Sequence, residues 1–429
     1  MWDFVVRFFN WVPDIIWLLI LTYFLGRMAW AMWIHYIQQD FISGIDYVLI
    51  EVIPPRDVLR SPKAMELFFT NALYHWSMKG GREEYWQGAV WFWHSLEIVS
   101  IEGQVHFYIR TPSRIKGLVE TQMYAQYPQS QVKVVDDYTL AVDEITPESE
   151  WQLYGCEWKL ERHHAYPIKT YVDFGLDKDP KEEFKVDPLS PIIELFASMG
   201  KGEQMWLQMV IRPSKNKFKG KDGKSHDWAK EVEMELDRIA EPYTKIETLP
   251  SGGILKSGRT PDSLKPQIDG VTRKMQKIGF DVGIRTCYVA KKESWSLNNR
   301  RNLRLIFRQY ANPALNSFVR VNGTQADAYG GLITLLSAEE VMVLANRMLG
   351  EYRGRSFYHG QLRQELFDTE HVPWPITPLF FKAYKPQPTF VLNVEEIATL
   401  WHFPGQILQI PTLERVESKE ASPPTNLPM

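Results

Sequence analysis

Cysteine is nearly missing from this sequence: Cys156 and Cys287 are the two in 429 residues. With no CxxC pair, structural zinc sites of the thiolate kind have no residues to use. Two isolated cysteines fit a reducing compartment, with a single disulfide between them as the alternative. A surplus of positive charge is lacking too. The formal net charge is −3, so nucleic-acid binding would have to rest on a local patch. Catalytic signatures are equally scarce. No Gly-x-Ser-x-Gly elbow occurs. Gly223-Lys224-Ser225 looks like the end of a phosphate-binding loop, but Phe218 stands where the first glycine is needed. The surrounding KNKFKGKDGKSHD reads as a solvated lysine-rich loop. His163 and His164 are adjacent, and on an extended chain neighbours point to opposite faces. No third ligand is spaced near them. Asp177, Asp179 and Glu182 alternate with lysines and read as a solvated loop. No general acid–base pair stands out. The expectation is a protein that is not an enzyme, with no catalytic residue, no cofactor and no metal.

What is present is apolar and aromatic. The chain is 45% hydrophobic and 24% charged, with 16 Trp, 19 Tyr and 22 Phe. That is a globular composition, long enough for two or three domains. Residues Ile15 to Ile34, IIWLLILTYFLGRMAWAMWI, are the longest apolar stretch. Twenty helical residues span about 30 Å, the thickness of a bilayer core. Trp11 and Trp17 lie toward one end, Trp30 and Trp33 toward the other, as interfacial rings should. Arg27 costs roughly 2.5–3.5 kcal/mol near the midplane. The Leu and Ile residues recover roughly 0.3–0.6 kcal/mol each. A buried or interfacial helix is the second reading; a signal peptide is the weakest, since Asp3, Asp14 and Arg27 all oppose it. The flanks carry too few Lys or Arg to fix orientation.

After this segment, strand and helix signals alternate. IDYVLIEVI (45–53) reads as a strand ended by Pro54-Pro55. Ser61-Pro62 opens a helix with Met65, Phe68, Phe69 and Ala72 at helical spacing, and Gly80-Gly81 marks a loop. Strands 92–101 and 104–110 flank a tight turn at Glu102-Gly103. A helix from Thr111-Pro112-Ser113 and the strand QVKVV (131–135) complete a β-α-β-β-α-β order, the ferredoxin-like arrangement. A weaker second copy has strands at 204–211, 280–290 and 317–321 and helices near 227–239, 264–277 and 298–310. VETQMYAQYPQSQVKVV (119–135) and RLIFRQYANPALNSFVRV (304–321) run in parallel, which suggests an internal duplication. A helix follows at 339–349, then a proline-rich extended stretch at 372–390. Val394 to Trp401 is a short helix capped by Asn393 with Glu396 at the capping-box position. The tail from Ser418 reads as a disordered tether.

One local feature could grip phosphates or an acidic partner. Arg300, Arg304 and Arg308 recur every fourth residue along the 298–310 helix, opposite Leu303, Ile306, Phe307 and Tyr310. The bland alternative is the solvated face of an amphipathic helix. Lys215, Lys217, Lys219, Lys221 and Lys224 form a second basic cluster. His106, Tyr108 and Arg110 share one strand face, placed like RNA-stacking aromatics on an open sheet, yet GQVHFYIR lacks the RNA-binding signature.

LIEVIPPRDVLRSPKAMELFFTNAL (49–73), SLEIVSIEGQVHFYIRTP (95–112), VLNVEEIATLWHFPG (391–405) and LERVESKEASPPTNLP (413–428) carry a resemblance. They are similar to the N-terminal region of type IV secretion and conjugation-type ATPases of small-genome, mostly uncultivated bacteria. In those proteins a membrane helix and an uncharacterised α/β region precede a P-loop motor. Here the sequence ends at Met429, where the motor would begin, so the expectation is either a motor ATPase on a separate chain, the leading reading, or a copy that works without one. The combined expectation is an α+β protein: membrane anchor 1–40, ferredoxin-like unit 41–150, a weaker repeat 151–330, a helical and extended region 331–411 and a disordered tail 412–429. It would be a single-pass, non-enzymatic accessory subunit, mostly cytoplasmic, docking that motor at the membrane. DNA and a second copy of the chain are further expected partners, and a membrane-tethered nucleic-acid-binding module is the alternative function.

Overall fold

Antiparallel pairing of β-branched runs builds most of the protein. The structure, a computed structural model, describes residues 14–55, 60–75, 80–177, 186–214, 218–219, 225–243, 245–248, 254–257, 261–325, 338–355, 357–359 and 387–405. The lysine cluster around Lys224, the body of the proline-rich stretch and the C-terminal tail lie outside these residues, apart from Lys219. Two units are distinguished by their internal contacts. One comprises Met1–Asp46, Trp76–Trp91 and Tyr358–Pro386; the other comprises Tyr47–His75, Phe92–Phe357 and Gln387–Met429.

In the first unit, α1 (Asp14–Ser43) follows from the apolar run. Most of its large apolar side chains are exposed, among them Leu18, Leu21, Phe24 and Trp30. The expected loop at Gly80-Gly81 is instead the start of a short helix that lies against α1. The Trp33 indole donates to the Tyr85 carbonyl at 3.2 Å, and Trp33 packs edge-on to Trp86. Gly88, at φ +64°, is what lets this segment approach: a Cβ there would lie 2.1 Å from the Ile37 carbonyl oxygen.

The second unit carries one nine-stranded sheet. Its strands are β1 (Tyr47–Ile53), β2 (His94–Ile101), β3 (Gln104–Pro112), β4 (Gln131–Val135), β5 (Trp151–Leu160), β6 (Glu203–Pro213), β7 (Gly279–Lys291), β8 (Phe318–Val321) and β9 (Phe390–Asn393). Spatially they run β8-β5-β7-β6-β2-β3-β1-β4, with β9 also pairing β7. Every pairing in this sheet is antiparallel. In each half the sequence order 1, 2, 3, 4 becomes the spatial order 4-1-3-2. The halves join where β2 meets β6, from His94↔Ile211 to Ile101↔Gln204. The β2–β3 hairpin turns at Glu102 (φ 51°) and Gly103 (φ 87°), the two positive angles of a type I′ turn.

Absent from the sequence reading are β5, the helix Ser190–Ala197, the strand β9 that pairs β7, and the short strand pair Lys245–Thr248 and Ile254–Ser257. Helices cover one sheet face. Met65, Phe68 and Phe69 of α2 (Lys63–Phe68, continued by a π-helical turn) pack with Ile50, Leu96 and Phe107 of the sheet. The second half repeats this, with Phe307 edge-on to Trp158 at 4.8 Å. The short helix Val394–Leu400 forms as its sequence requires, with a reciprocal capping box between Asn393 and Glu396. Trp401 beyond it packs against Phe69 and Phe107.

Candidate functional site

Beneath the sheet lies a face that alternation in the strands makes polar. Glu97 of β2 is fully buried there. Its carboxylate accepts from the Ser95 hydroxyl (2.6 Å), the Tyr138 hydroxyl (2.8 Å), Gln208 (3.1 Å) and the Arg355 guanidinium (2.9 Å). Arg355, at φ 47°, follows the helix Ala338–Gly354 and also binds Asp137 at 2.5 Å. Burial raises the Asp137 carboxyl, but the hydrogen bonds and charge of Arg355 outweigh it and hold it below the ordinary carboxylate range. Arg285 of β7 repeats the motif with Glu157 at 2.9 Å. The expected stacking aromatics are here too. Tyr108 is buried between the His106 ring (5.6 Å) and the Tyr138 ring (5.2 Å), both nearly parallel to it. Arg110 lies over the Tyr47 ring at 4.0 Å. The chain's own residues thus take the stacking partners that a base would need.

The three arginines do not share one helix. That helix ends at Leu303, Arg304 caps it, and Arg308 begins a separate 3-10 turn. The chain tightens after Leu303: the Arg304 and Leu305 N–H groups bond back three residues, to Arg301 and Asn302. Arg300 is half-buried over the Tyr154 ring at 5.1 Å, Arg304 is half-buried, and Arg308 is exposed. Leu303, Ile306, Phe307 and Tyr310 are buried as expected.

Cys156 and Cys287 are both buried and free. Cys156 belongs to the helix-side core, while Cys287 reaches the opposite face, beside Gly155. Burial pushes the Cys156 thiol up to about 11 and the Cys287 thiol higher still. The alternative of a disulfide between them is therefore ruled out by the side of the sheet each occupies.

A third cluster ties the C-terminal motif to the sheet. Lys274, on the helix Lys265–Met275, and Glu396 are both wholly buried and 2.9 Å apart. Lys277 binds Glu66 (2.7 Å) and Glu395 (2.8 Å), and Arg273 binds Asp173 (3.0 Å) and Glu395 (3.3 Å). The Thr170 hydroxyl donates to Glu395 at 2.5 Å.

The histidine pair departs from its expected geometry. His163 and His164 sit in a turn after β5, not on extended chain, and their rings stack at 4.4 Å. Both face Glu231 in the first turn of the helix Trp228–Ala240: His163 Nε2 is 2.9 Å from Oε1 and His164 Nε2 3.4 Å from Oε2. These hydrogen bonds, that of His163 foremost, lower the Glu231 carboxyl to about 2. Glu231 lies 68 residues beyond His163, so no spacing rule could have joined them.

Residues 50–409 match the family model described as a domain of unknown function, DUF8128. The chain belongs to this family. No curated protein and no solved structure matches it. The DUF8128 match opens inside β1 and closes after the Val394–Leu400 helix. It therefore takes in all of the sheet except Tyr47, Val48 and Leu49 of β1, together with the polar clusters, while α1 precedes it.

Proposed function

We propose that this protein is a non-enzymatic, single-pass membrane adaptor. In this reading α1 crosses the bilayer and the DUF8128 domain, a duplicated pair of ferredoxin-like units, lies in the cytoplasm. There it docks the motor ATPase of a type IV secretion or conjugation-type machine. The observation that carries the reading is α1. Within its span Ile16–Ser43 the most apolar window of 18 residues has a mean hydropathy of 1.4, and none of that window is buried against protein. An exposed apolar surface of that length needs a covering medium, and a bilayer supplies one of matching thickness. Trp30, Trp33, Tyr85 and Trp86 gather toward one end, where amphipathic rings favour the headgroup level. The duplication is supported by the 4-1-3-2 strand order in both halves. The non-enzymatic part rests on the buried carboxylates Glu97, Glu157 and Glu396, each of which is bound by an arginine or a lysine. The motor part rests on the resemblance of the 49–73, 95–112 and 391–405 segments.

Membrane fractionation tests the anchor. The full chain should resist carbonate extraction, and a chain lacking residues 1–40 should become soluble. Full-length protein that stays soluble without detergent overturns the reading. For the motor, crosslinking in native membranes should yield a P-loop ATPase; its repeated absence rejects the docking role and leaves the anchor standing.

A further inference from the structure

The His163–His164–Glu231 cluster is more than an ion pair in its geometry. Three ligand atoms, one from each residue, fall within 4.8 Å of one another. Ligands of a tetrahedral ion at about 2.1 Å stand about 3.4 Å apart; the His164–Glu231 separation of 3.4 Å matches that, and the His163–Glu231 separation of 2.9 Å is shorter and would open slightly around an ion. The carboxylate presents a separate oxygen to each ring. His164 Nε2 is buried, and its polar neighbour is Glu231 Oε2 at 3.4 Å, a long contact that leaves the nitrogen without a well-formed hydrogen bond.

The residues that follow in sequence hold the ligands in place. Ala165 and Val232 are wholly buried in a small satellite core with Trp228, Val271 and Val391. Each ligand-bearing segment is therefore pinned one residue away from its ligand, which is the rigidity a metal site requires. The positive charge of nearby Lys274 is neutralised by Glu396. Against the site stands one weak contact. The Ala165 N–H donates to His163 Nδ1 at 3.3 Å, so ligation through Nε2 exchanges that bond for the other tautomer.

We propose that His163, His164 and Glu231 bind a late first-row divalent cation, with Zn2+ as the occupant. Two imidazoles and a carboxylate are the donor set such ions prefer over Mg2+ or Ca2+. Three protein ligands leave a fourth position, and the half-exposed His163 side of the cluster opens it to water. The ion fastens the turn after β5 to the Trp228–Ala240 helix. Its open position accepts a further ligand, such as a side chain of a docked protein. The proposal is independent of the membrane and motor reading.

The test uses untagged full-length protein in detergent, stripped with chelator and titrated with Zn2+ by calorimetry and Co2+ by absorption. One equivalent should bind, with the intense visible bands of four-coordinate cobalt. His164→Ala and Glu231→Gln should each weaken binding at least tenfold while keeping the native circular dichroism. His163→Ala, at an exposed position, guards against loss of fold in the other two. Mg2+ should not compete. Absence of saturable binding, or binding that survives both His163→Ala and His164→Ala in folded protein, overturns the proposal and leaves the cluster as an ion pair.

Discussion

Replacing Lys274 by Met measures how the C-terminal motif is held. Lys274 Nζ reaches Glu396 Oε2 and the Val391 carbonyl, each at 2.9 Å. The Glu396 carboxylate also accepts from the backbone N–H of Ile168 (3.0 Å) and Asn393 (2.9 Å). Both charged side chains are inaccessible to water. Burial pulls the Lys274 ammonium below the usual lysine range despite Glu396, so desolvation outweighs attraction in this pair. Two consequences follow. The intact pair is worth little against an apolar pair of equal volume, but breaking it strands a buried carboxylate, at a cost of about 3–5 kcal/mol. Met matches lysine in volume, so no cavity term is added. Lys274→Met with Glu396→Gln removes the stranded charge and should recover most of the loss, a coupling of about 2–3 kcal/mol. Urea titration of the full chain in detergent reads both, as midpoint shifts at constant slope. Additive losses, or a single-variant cost below about 1 kcal/mol, would refute the reasoning.

Other perturbations probe separate parts. His94 is wholly buried beside the Thr111 hydroxyl, and burial lowers its pKa from 6.5 to about 3. The unfolded chain therefore binds the extra proton first, and stability present above pH 6.5 should fall as pH drops toward 3, by up to about 1.4 kcal/mol per pH unit; His94→Gln should flatten that slope in pH-dependent unfolding. Arg355→Met leaves Glu97 buried with neutral donors alone and should cost about 3–5 kcal/mol in the same urea assay. Gly88→Ala drives a methyl into the Ile37 carbonyl, so Trp86 should detach from Trp33; tryptophan emission in vesicles should shift, with midpoint stability of the sheet unchanged.

The first half of the fold was legible because its strands alternate or run β-branched and its breaks carry proline or glycine. The second half hid more, β5 and the Ser190–Ala197 helix above all. β5 does alternate, with Tyr154, Cys156, Trp158 and Leu160 inward, but Gly155, Glu157 and Lys159 between them blur its propensity. The Ser190–Ala197 helix does announce itself with Ser190-Pro191. The arginine register failed for another reason. Periodicity continued through 304–310, while the backbone tightened at Leu303 into 3-10 turns, so equal spacing in sequence did not give one stripe. The capping box at Asn393 was readable because it is local. Glu231 beside two histidines was not, since only tertiary packing brings it there.

The sheet's polar face bears on the alternative of nucleic-acid binding. A four-stranded sheet of this strand order can bind bases when its aromatic face is open. Here Tyr138 stacks on Tyr108, bonds Tyr352 through its hydroxyl at 2.8 Å and bonds Glu97 as well. Opening that face would expose Glu97, a buried anion, toward a phosphate backbone, and would break its pairing with Arg355. Both effects oppose binding. Of the two basic clusters, the one within the described residues is Arg300, Arg304 and Arg308, and of these three Arg308 alone is fully exposed. Fewer phosphate contacts mean a shallower salt dependence, about one unit per contact. Changing Arg308 to Ala should thus remove about one unit of slope if DNA binds there, and titration at several salt concentrations decides it. A slope of three units or more in the unaltered protein, falling by about three when Arg300, Arg304 and Arg308 are all changed to Ala, would return the nucleic-acid reading to first place.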